Sequence, residues 1–75
     1  MVNVTVRLFA TLRENRGKEL FLQFEGKVTP KEIIEKLNIP EEEVAILLIN
    51  GRDGSLDTYL EDNDVISIFP PVGGG

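Results

Sequence analysis

The sequence predicts an α+β domain: one mixed sheet of four to five strands with a single main helix on one face. Three observations carry this. Val2, Val4, Val6 and Leu8 alternate with Asn3, Thr5, Arg7 and Phe9, and a period of two means a strand with one buried face. The stretch TPKEIIEKL holds the only long helix signal in the chain. Two further apolar runs, Val44 to Ile49 and Val65 to Phe69, each follow or precede turn-forming residues. One helix cannot cover itself, so it must lie on the sheet that these strands build.

The elements follow in chain order. After the first strand, Ala10 to Arg16 forms a short helical turn that ends at Gly17. Leu20 to Phe24 is a second strand, close enough to the first to pair with it as an antiparallel hairpin. Its Leu20, Leu22 and Phe24 share the inner face. Thr29 is a good N-cap, Pro30 fits the first helical position and Glu32 completes a capping box. Ile33, Ile34 and Leu37 form the apolar stripe, and Asn38 and Pro40 close the helix. Glu41-Glu42-Glu43 reads as a solvated helical turn. The continuous run VAILLI reads as a central strand, buried on both faces or nearly so, ending in the turn pair Asn50-Gly51. Leu56, Tyr59 and Leu60 are expected to pin the polar loop GRDGSLDTYLEDND to the core. Asn63-Asp64 turns the chain into the last strand, which Pro70 and Pro71 stop because neither can donate to a ladder. This order suits a β-grasp sheet, in which the first and last strands lie side by side at the centre.

Composition removes much chemistry. The 75 residues allow one domain and one core. There is no Cys, hence no disulfide, thiolate metal site or cysteine nucleophile, and no His to serve as base or ligand. Asp57, Asp62 and Asp64 lack the spacing of a calcium loop. The net charge of −5 opposes binding to nucleic acid by phosphate neutralisation. It suits either a basic partner surface or plain solubility. No run reaches the roughly 18 apolar residues of a membrane span, and Val2 to Phe9 is too short and too alternating for a signal segment. The expected location is the cytoplasm.

The end of the sequence, FPPVGGG, is its most distinctive stretch. Two prolines hold the backbone extended and so give the tail a direction. Glycines lack Cβ and can thread a slot too narrow for other residues. On this reading residues 1–69 form the domain and 70–75 an extended, flexible tail that offers the Gly75 carboxylate to another protein. A carboxylate is a poor electrophile, and the chain has no phosphate-binding loop to activate it. Activation must then come from a partner, which makes the chain a carrier rather than a catalyst. The plain alternative is an inert glycine stub.

RLFATLRE, TPKEIIEKL, LINGR and LEDNDVISIFPPVGGG together resemble the MoaD/ThiS group of small ubiquitin-like sulfur carriers, most nearly the small subunit of molybdopterin synthase. The resemblance spans nearly the whole chain. It implies a β-grasp fold and adenylation of Gly75 by a ubiquitin-activating-type enzyme that uses ATP and magnesium, with no cofactor bound to the chain itself. It implies conversion to a thiocarboxylate with sulfur from a donor such as a cysteine desulfurase or rhodanese. It also implies insertion of the tail into the large subunit of molybdopterin synthase. Gly74 matches the second member of the glycine pair, and Gly73 stands where the family accepts a small residue. Other outcomes of the same activation are thiazole synthesis, RNA thiolation and isopeptide tagging of proteins. Two departures stand out: Asp62-Asn63-Asp64 replaces the usual Asp-Gly-Asp turn, and Arg52 and Asp53 place charge where apolar docking surface is expected.

The partner-binding residues expected are Phe9, Phe69, Pro70, Pro71, Val72, Gly73 and Arg7. Phe9 and Phe69 fall on the face opposite Leu8 and Ile68. Either they form an exposed aromatic patch beside the tail, or the loop Gly54 to Asn63 folds over them. Arg7 is either a charged contact on that face or a solvated strand arginine.

Overall fold

The computed structural model describes residues 1–71. Alternation makes Val2–Leu8 a strand, β1, whose Val4, Val6 and Leu8 are buried. A 3-10 turn, Ala10–Arg13, and Gly17 at φ 91° reverse the chain. Strand β2, Glu19–Phe24, then returns antiparallel to β1, with Val6 opposite Leu20 and Val4 opposite Leu22.

Helix α1, Pro30–Lys36, is short, so its ends decide its stability. The capping box forms as expected: Glu32 N–H donates to Thr29 Oγ1 (3.4 Å) and Thr29 N–H donates to Glu32 Oε2 (3.1 Å). At the other end Asn38 takes the left-handed conformation (φ 59°). Ile39 N–H then reaches Ile34 O (2.8 Å) and Asn38 N–H reaches Glu35 O (3.1 Å), the paired bonds of a Schellman stop. Ile34 and Ile39, which flank this stop, are both buried.

Strands β3 (Ile46–Ile49), β4 (Arg52–Asp53) and β5 (Asp64–Phe69) complete a five-stranded sheet in the order β2-β1-β5-β3-β4. Strand β5 lies parallel to β1 and antiparallel to β3. The first and last strands thus occupy the centre, the β-grasp arrangement. The pairing sets Val6 beside Ile66 and Leu8 beside Ile68, all four fully buried. Ile33 and Ile34 of α1 join them, with Leu12, Val28, Ile39, Leu47 and Leu60 from flanking segments. Each such aliphatic side chain contributes about 1.5–3 kcal/mol on burial.

Two expectations need correction. The run Val44 to Ile49 does not make a strand buried on both faces. Strand β3 begins at Ile46, lies next to the short edge strand β4, and leaves Ile46 51% exposed. Tyr59 does not anchor its loop: it is 63% exposed, with Lys27 Nζ 5.1 Å from its ring centre. Leu60 is the buried anchor, its N–H bonded to Val28 O at 2.8 Å, and Leu56 packs partly against the core. Among the described residues, no helix is long and apolar enough to cross a membrane.

Candidate functional site

The parallel register of β1 and β5 dictates what gathers at the end of the sheet. Leu8 pairs with Ile68 on the core side. One residue further along each strand, the side chains point to the opposite face, and this sets Phe9 beside Phe69. Their rings stack at 4.1 Å between centroids with 10° between planes. Both are half-buried, each covering the other, rather than fully exposed.

The stack forms the floor of an open groove lined by Phe9, Ala10, Thr11, Ile46, Phe69, Pro70 and Pro71. The loop Gly54 to Asn63 contributes no residue to it. Ile46 enters from β3, which explains why that strand is apolar on its outer side. Pro70 and Pro71 follow directly on the central strand, so the groove lies where the chain leaves the sheet. Val72, Gly73, Gly74 and Gly75 lie outside the described residues.

Two groove features escaped the sequence reading. Ala10 sits at φ 54°, a left-handed conformation that costs a residue with a Cβ roughly 1–2 kcal/mol. Such strain concentrates where a surface must hold a set shape. Arg13 donates from Nε to Leu8 O at 2.8 Å and places its guanidinium 5.4 Å from the Phe9 ring centre. Phe9 therefore meets a cation as well as the Phe69 ring. The signal in the sequence was the four-residue spacing of Phe9 and Arg13 across a helical turn.

Arg7 shares the outer face with Phe9. It is exposed and its Nε bonds Glu19 Oε2 at 3.2 Å on the neighbouring strand. Arg7, Phe9, Arg13, Lys18 and Glu19 line one shallow depression, continuous with the groove through Phe9. The structure thus brings Arg7, Phe9, Phe69, Pro70 and Pro71 to one end of the sheet.

The opposite end is held by polar contacts instead. Asp62 Oδ1 accepts from Asn3 N (2.8 Å) and Asn3 Nδ2 (2.9 Å). These bonds, the backbone one foremost, hold the Asp62 carboxyl below the usual aspartate value. Asn63 takes φ 70°, the left-handed conformation expected of it. Neither contact lies near the groove.

Comparison with known proteins agrees with this architecture. The ThiS family model matches residues 6–75. Small archaeal modifier protein 3 of Haloferax volcanii is 29% identical over 92 residues, covering 99% of this chain and all of that protein. The solution structure of small archaeal modifier protein 1 from Methanosarcina acetivorans superposes with a TM-score of 0.74 at 29% identity, covering 100% of this chain and 98% of that one. A third relative comes from Helicobacter pylori, in a complex of subunits 1 and 2 of molybdopterin-converting factor. It matches with a TM-score of 0.66 at 30% identity, over 99% of this chain and 100% of that one. With the family model matched over residues 6–75, the chain belongs to the ThiS family of ubiquitin-like sulfur-carrier and modifier proteins.

Proposed function

We propose that this protein carries sulfur on its C-terminal glycine, as the small subunit of molybdopterin synthase. The observation that supports this most is the exit of the chain from the centre of the sheet. Phe69, Pro70 and Pro71 run along the groove floor, and VGGG follows in sequence. A partner that grips the groove is then positioned to receive the tail. The chemistry runs in three steps. The Gly75 carboxylate attacks the α-phosphate of ATP, whose magnesium a ubiquitin-activating-type enzyme holds, and pyrophosphate leaves. The persulfide of a cysteine desulfurase or rhodanese then displaces AMP to form an acyl disulfide, and a thiol attacks the sulfur on the donor's side, forming a disulfide with it and releasing the thiocarboxylate. Gly74 and Gly73 pass through the enzyme's slot, while Phe9, Phe69, Pro70, Pro71, Val72 and Arg7 meet its surface. The large subunit of molybdopterin synthase takes the same groove in the next step. The pairing of subunits 1 and 2 in the Helicobacter pylori relative supports this choice.

One observation favours a second reading. The Haloferax volcanii and Methanosarcina acetivorans relatives are modifier proteins, and an activated glycine can also pass to a lysine amine as an isopeptide. Thiazole synthesis or RNA thiolation would use the same thiocarboxylate. The test is incubation with the host's activating enzyme, ATP and a sulfur donor, followed by addition of the large subunit and a pterin precursor. Dithiolene formation supports the synthase role. A thiocarboxylate that the large subunit never consumes, or protein adducts that form instead, refutes it.

A further inference from the structure

The chain as a whole is acidic, with thirteen Asp and Glu against eight Lys and Arg. The depression beside the aromatic stack departs from that balance. Among the described residues, Arg7, Arg13 and Lys18 line it with one carboxylate, Glu19, and Glu19 is already paired with Arg7. All three cations are exposed. Glu14 and Glu43 line a separate depression with Arg16, one that shares Thr11 with the groove. The depression that shares Phe9 with the groove thus carries three cations and one carboxylate, and the depression that shares Thr11 carries two carboxylates and one cation.

We propose that Arg7, Arg13 and Lys18 form a basic flank of the docking surface, and that the activating enzyme covers it with carboxylates. This inference rests on the sulfur-carrier reading for the identity of the partner. The physical argument is independent of it. Arg13 is fixed by its bond to Leu8 O and by the Phe9 ring, so its guanidinium is pre-ordered and loses little freedom on binding. A charge fixed at the edge of an apolar groove orients the partner and accelerates encounter. A partner with a basic surface, the simple expectation from the net charge, would meet like charge here.

The test uses the full chain and the purified activating enzyme without ATP, with affinity measured by calorimetry at low and high salt. The double variant Arg7→Glu with Lys18→Glu is compared with Lys31→Glu and Lys36→Glu, which makes the same change in net charge on exposed α1 positions. Thermal unfolding of both variants checks the fold. The expected result is affinity at least tenfold weaker for the Arg7/Lys18 pair at low salt, the difference shrinking at high salt. The α1 pair stays within about twofold of wild type. Equal effects from both pairs, tighter binding by the Arg7/Lys18 pair, or no binding by wild type at any salt overturns the proposal. Failure of the sulfur-carrier reading is distinct: the enzyme then binds the chain but leaves its mass unchanged when ATP and a sulfur donor are added.

Discussion

Arg16 holds together two parts of the fold that share no strand pairing, and its loss has a calculable cost. Its Nε donates to Leu37 O at 3.0 Å, its Nη2 to Asn38 O at 3.0 Å and its Nη1 to Leu12 O at 3.3 Å. Two of these acceptors sit at the C-terminus of α1, where carbonyls lack helical partners and a cation is favoured. A hydrogen bond to a charged group contributes about 1.5–3 kcal/mol. Half-burial of Arg16 and access of water to Asn38 reduce that, and ordering an arginine costs up to about 2 kcal/mol. The net loss on Arg16→Ala is about 2 kcal/mol. For a domain of this size that lowers Tm by roughly 8–16 °C. Arg16→Lys has no fork to reach all three carbonyls and should lose about half as much. Calorimetry and urea unfolding measure both, with an unchanged m-value. Amide exchange should quicken at Asn38 and Ile39, whose N–H groups complete the helix stop. A shift under about 2 °C for Arg16→Ala, or equal stability of the lysine and arginine forms, would refute the reasoning.

Three further perturbations test other parts of the account. Thr29→Ala removes the capping box and should cost about 1 kcal/mol, seen as a Tm drop of roughly 4–8 °C. Ala10→Gly relieves the left-handed strain and should leave stability equal or slightly higher, whereas Ala10→Val should lower it by about 2 kcal/mol or more, read by urea unfolding. Asp62 has a folded value below its unfolded one, so its bonded, ionised form stabilises the fold above the ordinary aspartate value. That contribution is lost as pH falls through the lower folded value. The stability gap between wild type and Asp62→Ala, followed by urea unfolding, should therefore be full near neutrality and shrink on acidification. A gap independent of pH would show that Asp62 acts through packing alone.

The sequence was most legible where local chemistry decides the outcome. Thr29, Pro30 and Glu32 named the start of α1 because a cap involves only neighbouring residues. The alternation in β1 named its buried face because one face meets the core. Legibility failed where distant residues meet. The parallel pairing of β1 with β5 follows from the order of elements and not from either strand's own residues, since neither strand encodes its neighbour. Strand β4 was missed, although Asn50-Gly51 carries its signal. Both residues have positive φ (53° and 83°) and form a two-residue turn between the paired Ile49 and Arg52, the geometry such a dipeptide favours in hairpins. Asn50 was read only as a turn former, yet its side chain also clasps β5, accepting from Val65 N at 2.9 Å and donating to Asp64 Oδ1 at 2.8 Å. Ile46 misled for a different reason. Its apolar side chain lines the groove rather than the core, and hydropathy does not distinguish an exposed apolar position from a covered one.

The central claim is that the terminal carboxyl group of Gly75 becomes a thioacid. The direct measurement is tandem mass spectrometry of the C-terminal peptide after reaction with the activating enzyme, ATP and a sulfur donor. The account predicts a gain of about 16 Da, oxygen replaced by sulfur, confined to fragments that contain Gly75, and absent when Gly75 is deleted from a chain that still folds. A terminal peptide of unchanged mass, with the enzyme proven active on another carrier, would contradict it.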